Sequence, residues 1–242
     1  MKISEKIKEK TKNICGAGAV TIAFLGDSVT QGCFECYTTS FDSLQTVFDY
    51  KSAYSSRLKE ILNILYPSVQ VNIVNAGISG DNAQNGVMRF ERDIARFSPD
   101  LVVVSYGLND ACVGEKDGVS AYAQALKVLF EKSAEIGAER IFLTQNYMCE
   151  KTSPHLKEKL FIDLSEKFSR VQNEGILDEY YTVAKRVCKE QGVKVCDVRR
   201  VWRVLSENGA DVTELLANKL NHPIREMHYY TAMKLLETMF EI

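Results

Sequence analysis

Apolar residues recur along the chain with two different periods. Short runs rich in β-branched apolar residues predict buried strands at 20–25, 69–75, 101–105, 141–145 and 193–198. Between these runs, apolar residues recur every three or four positions and predict helices at 51–65, 82–97, 119–136 and 177–191, with a last helix after Pro223. This alternation predicts an α/β fold in which helices cover both faces of one parallel sheet.

The sequence shows no internal domain boundary. Its 242 residues include only four prolines, and we find no Gly/Ser tract, low-complexity run or fixed repeat. We therefore expect a single domain over residues 1–242, in which residues 1–18 form an N-terminal helical extension. Glu5 and Glu9 interrupt the lysines of this extension, which indicates a solvated helix face rather than a basic arm: Lys2, Lys6, Lys8, Lys10 and Lys12.

Composition and charge exclude several kinds of partner. With 45% hydrophobic and 26% charged residues, the chain has the composition of a globular protein and not of a disordered or fibrous one. A net charge of −2 gives no reason to expect nucleic acid or an anionic membrane as partner, since both bind concentrated basic surfaces. No secretory signal or membrane span is visible, and seven cysteines, an odd number, favour reduced thiols, so we expect a cytoplasmic protein.

Four polar clusters lie where a parallel sheet binds ligands, beyond the carboxyl ends of its strands. Three follow predicted strands: Gly-Asp-Ser-Val-Thr-Gln-Gly at 26–32, Asn-Ala-Gly-Ile-Ser-Gly-Asp at 75–81 and Gly-Leu-Asn-Asp at 107–110. The fourth, Asn-His-Pro at 221–223, comes just before the last predicted helix. Because the carboxyl ends of parallel strands meet at one edge, we expect these clusters to form a single site.

The clusters contain every part that acyl transfer needs, namely a nucleophile, a base and donors for an oxyanion. Ser28 offers a hydroxyl group and its own N–H, and His222 offers a base. Gly77 allows close approach of a backbone N–H, and Asn109 carries a neutral side-chain donor. Taken singly, Ser28 is also explained as a helix N-cap and Asn109 as a turn residue. Their occurrence together, each after a strand, favours the catalytic interpretation.

These clusters resemble the motif blocks of the SGNH/GDSL hydrolase family over nearly the whole chain, from Gly26 to the C-terminal helix. The resemblance implies a flavodoxin-like, three-layer α/β/α sandwich with a five-stranded parallel sheet. It also implies Ser28 as nucleophile and first oxyanion donor, and His222 as general base. By the same resemblance, Gly77 and Asn109 complete the oxyanion hole.

One position departs from the family pattern. The family usually places an aspartate three residues before the catalytic histidine, where this chain has Lys219. That aspartate normally orients the imidazole and stabilises the imidazolium. The sequence therefore predicts a dyad of Ser28 and His222, with the orienting group left open among Asn218, Asn221, Glu214, Asp211 and a backbone carbonyl.

Other residues with reactive side chains carry weaker signals. Cys33 and Cys36 form a Cys-x-x-Cys pair, but no second pair completes a zinc site, so we predict no metal and no cofactor. His228 falls within the last predicted helix and is interpreted as a surface or core residue, and His155 as a loop residue.

Residues 33–50 are interpreted as a long connection rich in aromatic side chains, either a substrate pocket or a loop pinned to the body. Tyr106 and Tyr147 follow strands and are candidates for lining the cleft. The aromatic residues of the connection are Phe34, Tyr37, Phe41, Phe48 and Tyr50.

The sequence thus predicts a serine esterase that cleaves a short acyl group from a small molecule or sugar through an acyl-Ser28 intermediate. Two alternatives remain open at this point. An acyltransferase uses the same intermediate with a different acceptor, and a non-catalytic binding homologue keeps the cleft without the chemistry. No oligomeric state is predicted.

Overall fold

Strands and helices alternate along the chain, in agreement with the periodicity. The structure is a computed structural model that describes residues 1–39 and 43–242. Its strands are β1 (Val20–Gly26), β2 (Cys33–Thr38), β3 (Leu44–Phe48), β4 (Val71–Gly77), β5 (Leu101–Ser105), β6 (Glu139–Leu143) and β7 (Lys194–Cys196). Its helices are α1 (Ile3–Lys12), α2 (Ser28–Gln31), α3 (Tyr54–Leu65), α4 (Ala83–Asp93), α5 (Leu108–Gly114), α6 (Val119–Glu135), α7 (Lys159–Asn173), α8 (Ile176–Gln191), α9 (Arg199–Glu207) and α10 (Arg225–Phe240), with a 3₁₀ turn at Ala95–Phe97.

The central sheet has five parallel strands in the order β4-β1-β5-β6-β7. Numbered among themselves, these strands follow the order 2-1-3-4-5 of flavodoxin-like folds. Helices α1, α3 and α10 pack on one face, while α4, α6 and α8 pack on the other. The predicted three-layer α/β/α sandwich is therefore confirmed. Every residue of β5, the middle strand, is buried, as a strand covered on both faces requires.

Several elements differ from the prediction. The segment predicted as a long connection contains two strands, because β2 and β3 pair as an antiparallel hairpin outside the main sheet. Helices α7 and α9 were not predicted, because charged residues interrupt the apolar positions in their sequences. Strand β6 begins two residues earlier than predicted, where Leu101 pairs with Glu139. The predicted run at 141–145 thus includes two residues that lie beyond the strand end, Thr144 and Gln145.

Helix α1 packs against the body of the protein. Ile3 and Ile7 are fully buried, which anchors the predicted N-terminal extension. The lysine face is not uniformly solvated as expected: the Lys10 ammonium donates to the carbonyls of Ile14 and Ala17, and Lys6 pairs with Asp100. Within the described ranges, no helix combines the length and apolarity needed to cross a bilayer.

The end of β4 approaches the backbone of α2 very closely. Gly26 and Gly77 are paired in register at the carboxyl edge of the sheet. A Cβ atom at Gly77 would lie 2.2 Å from the Gln31 nitrogen and 2.7 Å from the Thr30 carbonyl carbon. Both neighbours are backbone atoms that cannot rotate away, so only glycine fits at this strand end.

Gly77→Ala should lower the free energy of unfolding by about 1–3 kcal/mol, because the methyl group forces the α2 backbone away from β4. Urea denaturation followed by circular dichroism measures the change. Gly18→Ala is the matched control, since a Cβ there meets nothing within 4 Å. Equal stability of the two variants would contradict the close approach.

Candidate active site

Ser28 is the first residue of the short helix α2, immediately after β1. The Asp27 carboxylate caps this helix, with its Oδ1 accepting the Val29 N–H at 3.0 Å. The helix ends after one turn at Gly32, whose φ of +97° is a backbone conformation that suits glycine. This strand-cap-turn sequence places Ser28 at the carboxyl edge of the sheet, as predicted.

The structure brings Ser28 and His222 into contact, although 194 residues separate them in sequence. The Ser28 Oγ lies 3.0 Å from the His222 Nε2, and both residues are buried. On the other side of the ring, Nδ1 lies 2.9 Å from the Phe34 carbonyl oxygen. A carbonyl oxygen only accepts, so Nδ1 carries the proton and Nε2 presents its lone pair to the serine hydroxyl.

Burial controls the charge of the His222 imidazole. Desolvation lowers its pKa to about 4, and the hydrogen bond to the Phe34 carbonyl opposes this shift only in part. A carboxylate in that position would favour the imidazolium more strongly than a neutral carbonyl does. The ring is therefore neutral at pH 7, in the form that accepts a proton.

The loop that carries His222 is held by two asparagine side chains. The Asn218 Oδ1 accepts the backbone N–H groups of Leu220, Asn221 and His222, each at 3.0 Å. From the end of β6, the Asn146 Nδ2 donates to the Asn221 carbonyl at 2.8 Å. Amide groups therefore fix the backbone on which the imidazole sits.

Of the groups left open by the sequence as the orienter of His222, the backbone carbonyl is the one in hydrogen-bond contact with Nδ1. Lys219, in the position of the family aspartate, has a φ of +58° and pairs with the Glu214 carboxylate at 2.9 Å. Asp211 pairs with Lys151 at 2.6 Å. Asn218 holds the loop backbone, and its neighbour Asn221 accepts a hydrogen bond from it at 3.0 Å.

Gly77 and Asn109 lie at the same sheet edge as Ser28, at or beyond the ends of β4 and β5, the two strands beside β1. The Gly77 N–H donates to the Asn75 Oδ1 at 3.0 Å. The Asn109 Nδ2 donates one of its two hydrogens to the Asp81 carbonyl at 2.8 Å. The Asn109 amide thus keeps a second N–H for another acceptor, while the Gly77 N–H must be shared.

Arg89 on α4 links the strand ends beneath these residues. Its guanidinium pairs with the Asp81 carboxylate at 2.5 and 2.8 Å and donates to the carbonyls of Gly26 at 3.0 Å and Ala76 at 2.6 Å. The Tyr106 hydroxyl lies 2.7 Å from both the Arg89 guanidinium and the Asp81 carboxylate. Sequence reasoning missed Arg89, because an arginine in an amphipathic helix predicts a surface position.

Gln145 forms a second link, from the end of β6 to Asp27. Its amide nitrogen lies 2.9 Å from both carboxylate oxygens of Asp27, and its oxygen accepts the Leu108 N–H at 3.1 Å. Desolvation raises the pKa of Asp27 to about 7, although these hydrogen bonds lower it in part. Gln145 falls at the end of the predicted strand 141–145 and Asn146 directly follows it, so the rule that identified the other clusters could have found Asn146 but not Gln145.

The Cys-x-x-Cys pair lies beside the predicted base. The Cys36 Sγ is 3.9 Å from the His222 Nδ1 and 3.6 Å from the Asn218 Nδ2, while Cys33 is fully buried. Among residues 1–39 and 43–242, no group of three or more His, Cys, Asp or Glu side chains could hold a metal ion.

The remaining histidines are not part of the site. His228 is buried in the core, where its Nδ1 accepts the Tyr54 N–H at 3.1 Å, and His155 lies exposed in a turn. Both positions agree with the interpretation of His228 as a surface or core residue and of His155 as a loop residue.

Tyr106 does not line a cleft, contrary to expectation, whereas Tyr147 borders a surface pocket that it shares with Glu150 and Arg203. Tyr106 is fully buried against Arg89, and Tyr147 packs under the Arg199 guanidinium, 4.2 Å from its ring centre. Phe34 is also fully buried, whereas Tyr37, Phe48 and Tyr50 are about half exposed on or beside the hairpin, and Phe41 lies outside the described residues.

Comparison with known proteins identifies the family. The sequence model of the GDSL-like Lipase/Acylhydrolase family matches residues 24–229. The chain belongs to this family. Membership confirms the resemblance read from the four clusters and agrees with the predicted class of carboxylic ester hydrolases.

A curated relative is similar to part of this chain, and several solved structures share its fold. An acetylxylan esterase from Geobacillus stearothermophilus is 28% identical over 89 residues, which span 37% of this chain and 39% of the relative. The crystal structure of an acetylxylan esterase from Geobacillus stearothermophilus superposes with a TM-score of 0.66 at 21% identity, covering 92% of this chain and 95% of that one.

Two further structures have the same fold. A lipase/acylhydrolase from Enterococcus faecalis has a TM-score of 0.66 at 18% identity, covering 90% of this chain and 94% of that one. A two-domain esterase active on acetylated mannans also has a TM-score of 0.66 at 18% identity. That match covers 99% of this chain and 52% of the other, so this chain spans about half its length.

Arg89→Leu should destabilise the protein by about 3–5 kcal/mol, because it leaves the Asp81 carboxylate buried without its partner. Arg92→Leu on the same helix is the matched control, since its side chain is 67% exposed and its removal should change the stability little. Urea denaturation compares both with the wild type. Similar losses in the two variants would show that the buried pair has no special role.

Proposed function

We propose that this protein is a serine esterase that hydrolyses carboxylic esters through an acyl-Ser28 intermediate, with His222 as general base. The observation that carries the proposal is the 3.0 Å contact between the Ser28 Oγ and the Nε2 of a His222 ring whose other nitrogen donates to the Phe34 carbonyl. Nucleophile and base within hydrogen-bond distance, with the base oriented by a third group, form the arrangement of covalent acyl transfer.

In the first half-reaction, the Ser28 oxygen attacks the ester carbonyl carbon while its proton passes to the His222 Nε2. The resulting tetrahedral intermediate carries its negative charge on the former carbonyl oxygen. When the bond to the alcohol oxygen breaks, the imidazolium returns the proton to that oxygen, and the acyl group remains on Ser28. Water then attacks the acyl group with His222 again as base, which releases the acid and restores the serine.

Three donors are available for the oxyanion. Ser28 begins a helix, so its N–H is among the first-turn groups that lack an intrahelical acceptor. The Asn109 amide has a second N–H beyond the one given to the Asp81 carbonyl. The Gly77 N–H contributes by sharing its hydrogen bond to Asn75 with the oxyanion. We propose these groups as the oxyanion hole.

The neutral orienter has a chemical consequence. The Phe34 carbonyl fixes the tautomer and the direction of the ring, which are two of the roles of a triad aspartate. It supplies no full negative charge to stabilise the imidazolium, so His222 is a weaker base than in a full triad. In return, the range of pH in which the enzyme is active extends further into acid, because the His222 ring stays neutral there.

For the substrate, we propose short acyl groups, with acetyl esters of sugars as the leading class. This proposal draws on the relatives, which are named as an acetylxylan esterase and as an esterase active on acetylated mannans. The exposed aromatic residues of the hairpin offer flat surfaces for a sugar ring: Tyr37, Phe48 and Tyr50.

The decisive test is hydrolysis of p-nitrophenyl acetate, butyrate and octanoate, and of acetylated xylo-oligosaccharides, by wild type and Ser28→Ala. We expect turnover of the acetyl esters by the wild type and a loss on the order of 10⁴-fold or more in Ser28→Ala, because the nucleophile is absent. A fluorophosphonate probe should label Ser28 in the wild type, as detected by mass spectrometry.

Ser133→Ala is the control, since this buried hydroxyl donates to the Leu129 carbonyl within helix α6. It should retain wild-type turnover. Equal hydrolysis by wild type and Ser28→Ala would end the proposal, as would the absence of any turnover or labelling in the folded wild type.

The acid limb of kcat/KM should have its midpoint near pH 4 instead of near the ordinary histidine value, because burial lowers the pKa of His222 to about 4. Protonation removes the lone pair that accepts the Ser28 proton, so activity falls below that pH. A pH series on a neutral ester, with folding checked by circular dichroism at each pH, gives the midpoint.

Asp27→Asn tests whether the buried carboxyl group next to Ser28 causes this limb, since burial raises the pKa of Asp27 to about 7. Asparagine also caps helices, so the variant should fold. If His222 sets the limb, its midpoint is unchanged in Asp27→Asn. A midpoint that moves with this substitution would assign the limb to Asp27.

A further inference from the structure

Three buried polar atoms belong to residues that line one small cavity behind the His222 loop. They are the Ser105 Oγ at the end of β5, the Asn146 Oδ1 beyond β6 and the His228 Nε2 on α10. None has a hydrogen-bond partner among residues 1–39 and 43–242, and all three side chains are at most 3% exposed. An unpaired buried polar group costs about 1–3 kcal/mol, so three such groups around one cavity call for a common partner.

The cavity has the size of a single water molecule. Its volume is about 10 Å³ as space for water centres, close to the minimum that a buried water needs. Pro223, next to His222, forms part of its wall. The volume excludes organic ligands, and buried waters typically have two to four polar partners, in agreement with the three available here.

The hydrogen-bonding roles of the three atoms match those of water. The His228 Nδ1 accepts the Tyr54 N–H, so the neutral ring carries its proton on Nε2 and donates into the cavity. The Asn146 Nδ2 is committed to the carbonyls of Tyr147 at 2.7 Å and Asn221 at 2.8 Å, which leaves Oδ1 as an acceptor. The Ser105 hydroxyl can donate or accept. The His228 Nε2–H is a donor and cannot coordinate a cation, so a bare metal ion does not fit the cavity.

We propose that one buried water binds in this cavity and bridges Ser105, Asn146 and His228. The water accepts from the His228 Nε2–H, donates to the Asn146 Oδ1 and completes its bonding with the Ser105 hydroxyl. It thereby holds the Asn146 amide with its nitrogen toward the Asn221 carbonyl and connects α10 to the backbone of the His222 loop. Its role in catalysis rests on the proposed function, whereas its presence does not.

A crystal structure of the wild type at about 1.5 Å resolution tests the site directly. The expected result is a well-ordered water at hydrogen-bond distance, about 2.6–3.2 Å, from all three atoms. An empty cavity, or side chains turned to bond one another directly, would overturn the proposal. This measurement is independent of whether the protein hydrolyses any ester.

Ser105→Val tests the same site in solution, because its larger apolar side chain fills the cavity and removes one partner. Oxygen-17 relaxation dispersion should count one fewer long-lived water in this variant than in the wild type or in the Ser133→Ala control. An unchanged count in a folded Ser105→Val variant would refute the site.

The positioning role has a separate readout. If the water supports the His222 loop, Ser105→Val should lower kcat several-fold with KM little changed, and Ser133→Ala should lower neither. An unchanged kcat in a variant that has lost the water would overturn the positioning role. A wild type without esterase activity would refute the proposed function and leave the water assignment to the structural tests.

Discussion

The buried ion pair between Arg89 and Asp81 is the interaction on which the carboxyl edge of the sheet depends. Strands β1 and β4 end here, and the carbonyls of Gly26 and Ala76 both accept from the Arg89 guanidinium. A guanidinium offers five donors in a fixed plane, which allows one side chain to serve several acceptors at once. The charge is balanced by the Asp81 carboxylate, so the group can remain buried.

The same pair fixes the loops that follow the strands. Asp81 accepts the Asn109 amide through its backbone carbonyl, and its carboxylate accepts from Tyr106, which leads into the loop after β5. The chain segments that carry Ser28, Gly77 and Asn109 are thus all linked by hydrogen bonds to the Arg89–Asp81 pair. Because catalytic groups must be held rigidly to a fraction of an ångström, a shared anchor of this kind suits a site assembled from three strands.

The hairpin of β2 and β3 supplies the hydrogen-bond acceptor that orients the His222 ring, which the His222 loop itself lacks. Without an aspartate before the histidine, the ring is oriented by the carbonyl of Phe34 in β2. The hairpin is itself fixed to α10, because Arg225 pairs with Glu35 at 2.6 Å and with Asp49 at 3.0 Å. Its guanidinium also covers the Phe34 ring at 4.3 Å. The position of the His222 ring therefore depends on ion pairs outside the central sheet.

The sequence by itself determined the layered fold and the place of the Ser28 cluster at the sheet edge, because both follow from local patterns. A sheet buried on both faces requires continuous apolar runs, and residues that follow such runs must lie at its carboxyl edge. Only the tertiary structure decided which group orients His222. Every residue carries a backbone carbonyl, and nothing in the sequence distinguishes the carbonyl of Phe34 from the others. The tertiary structure likewise decided that Arg89 is buried. From sequence alone an arginine in a helix is expected to be exposed to solvent, and only the packed structure brings hydrogen-bond acceptors to its guanidinium.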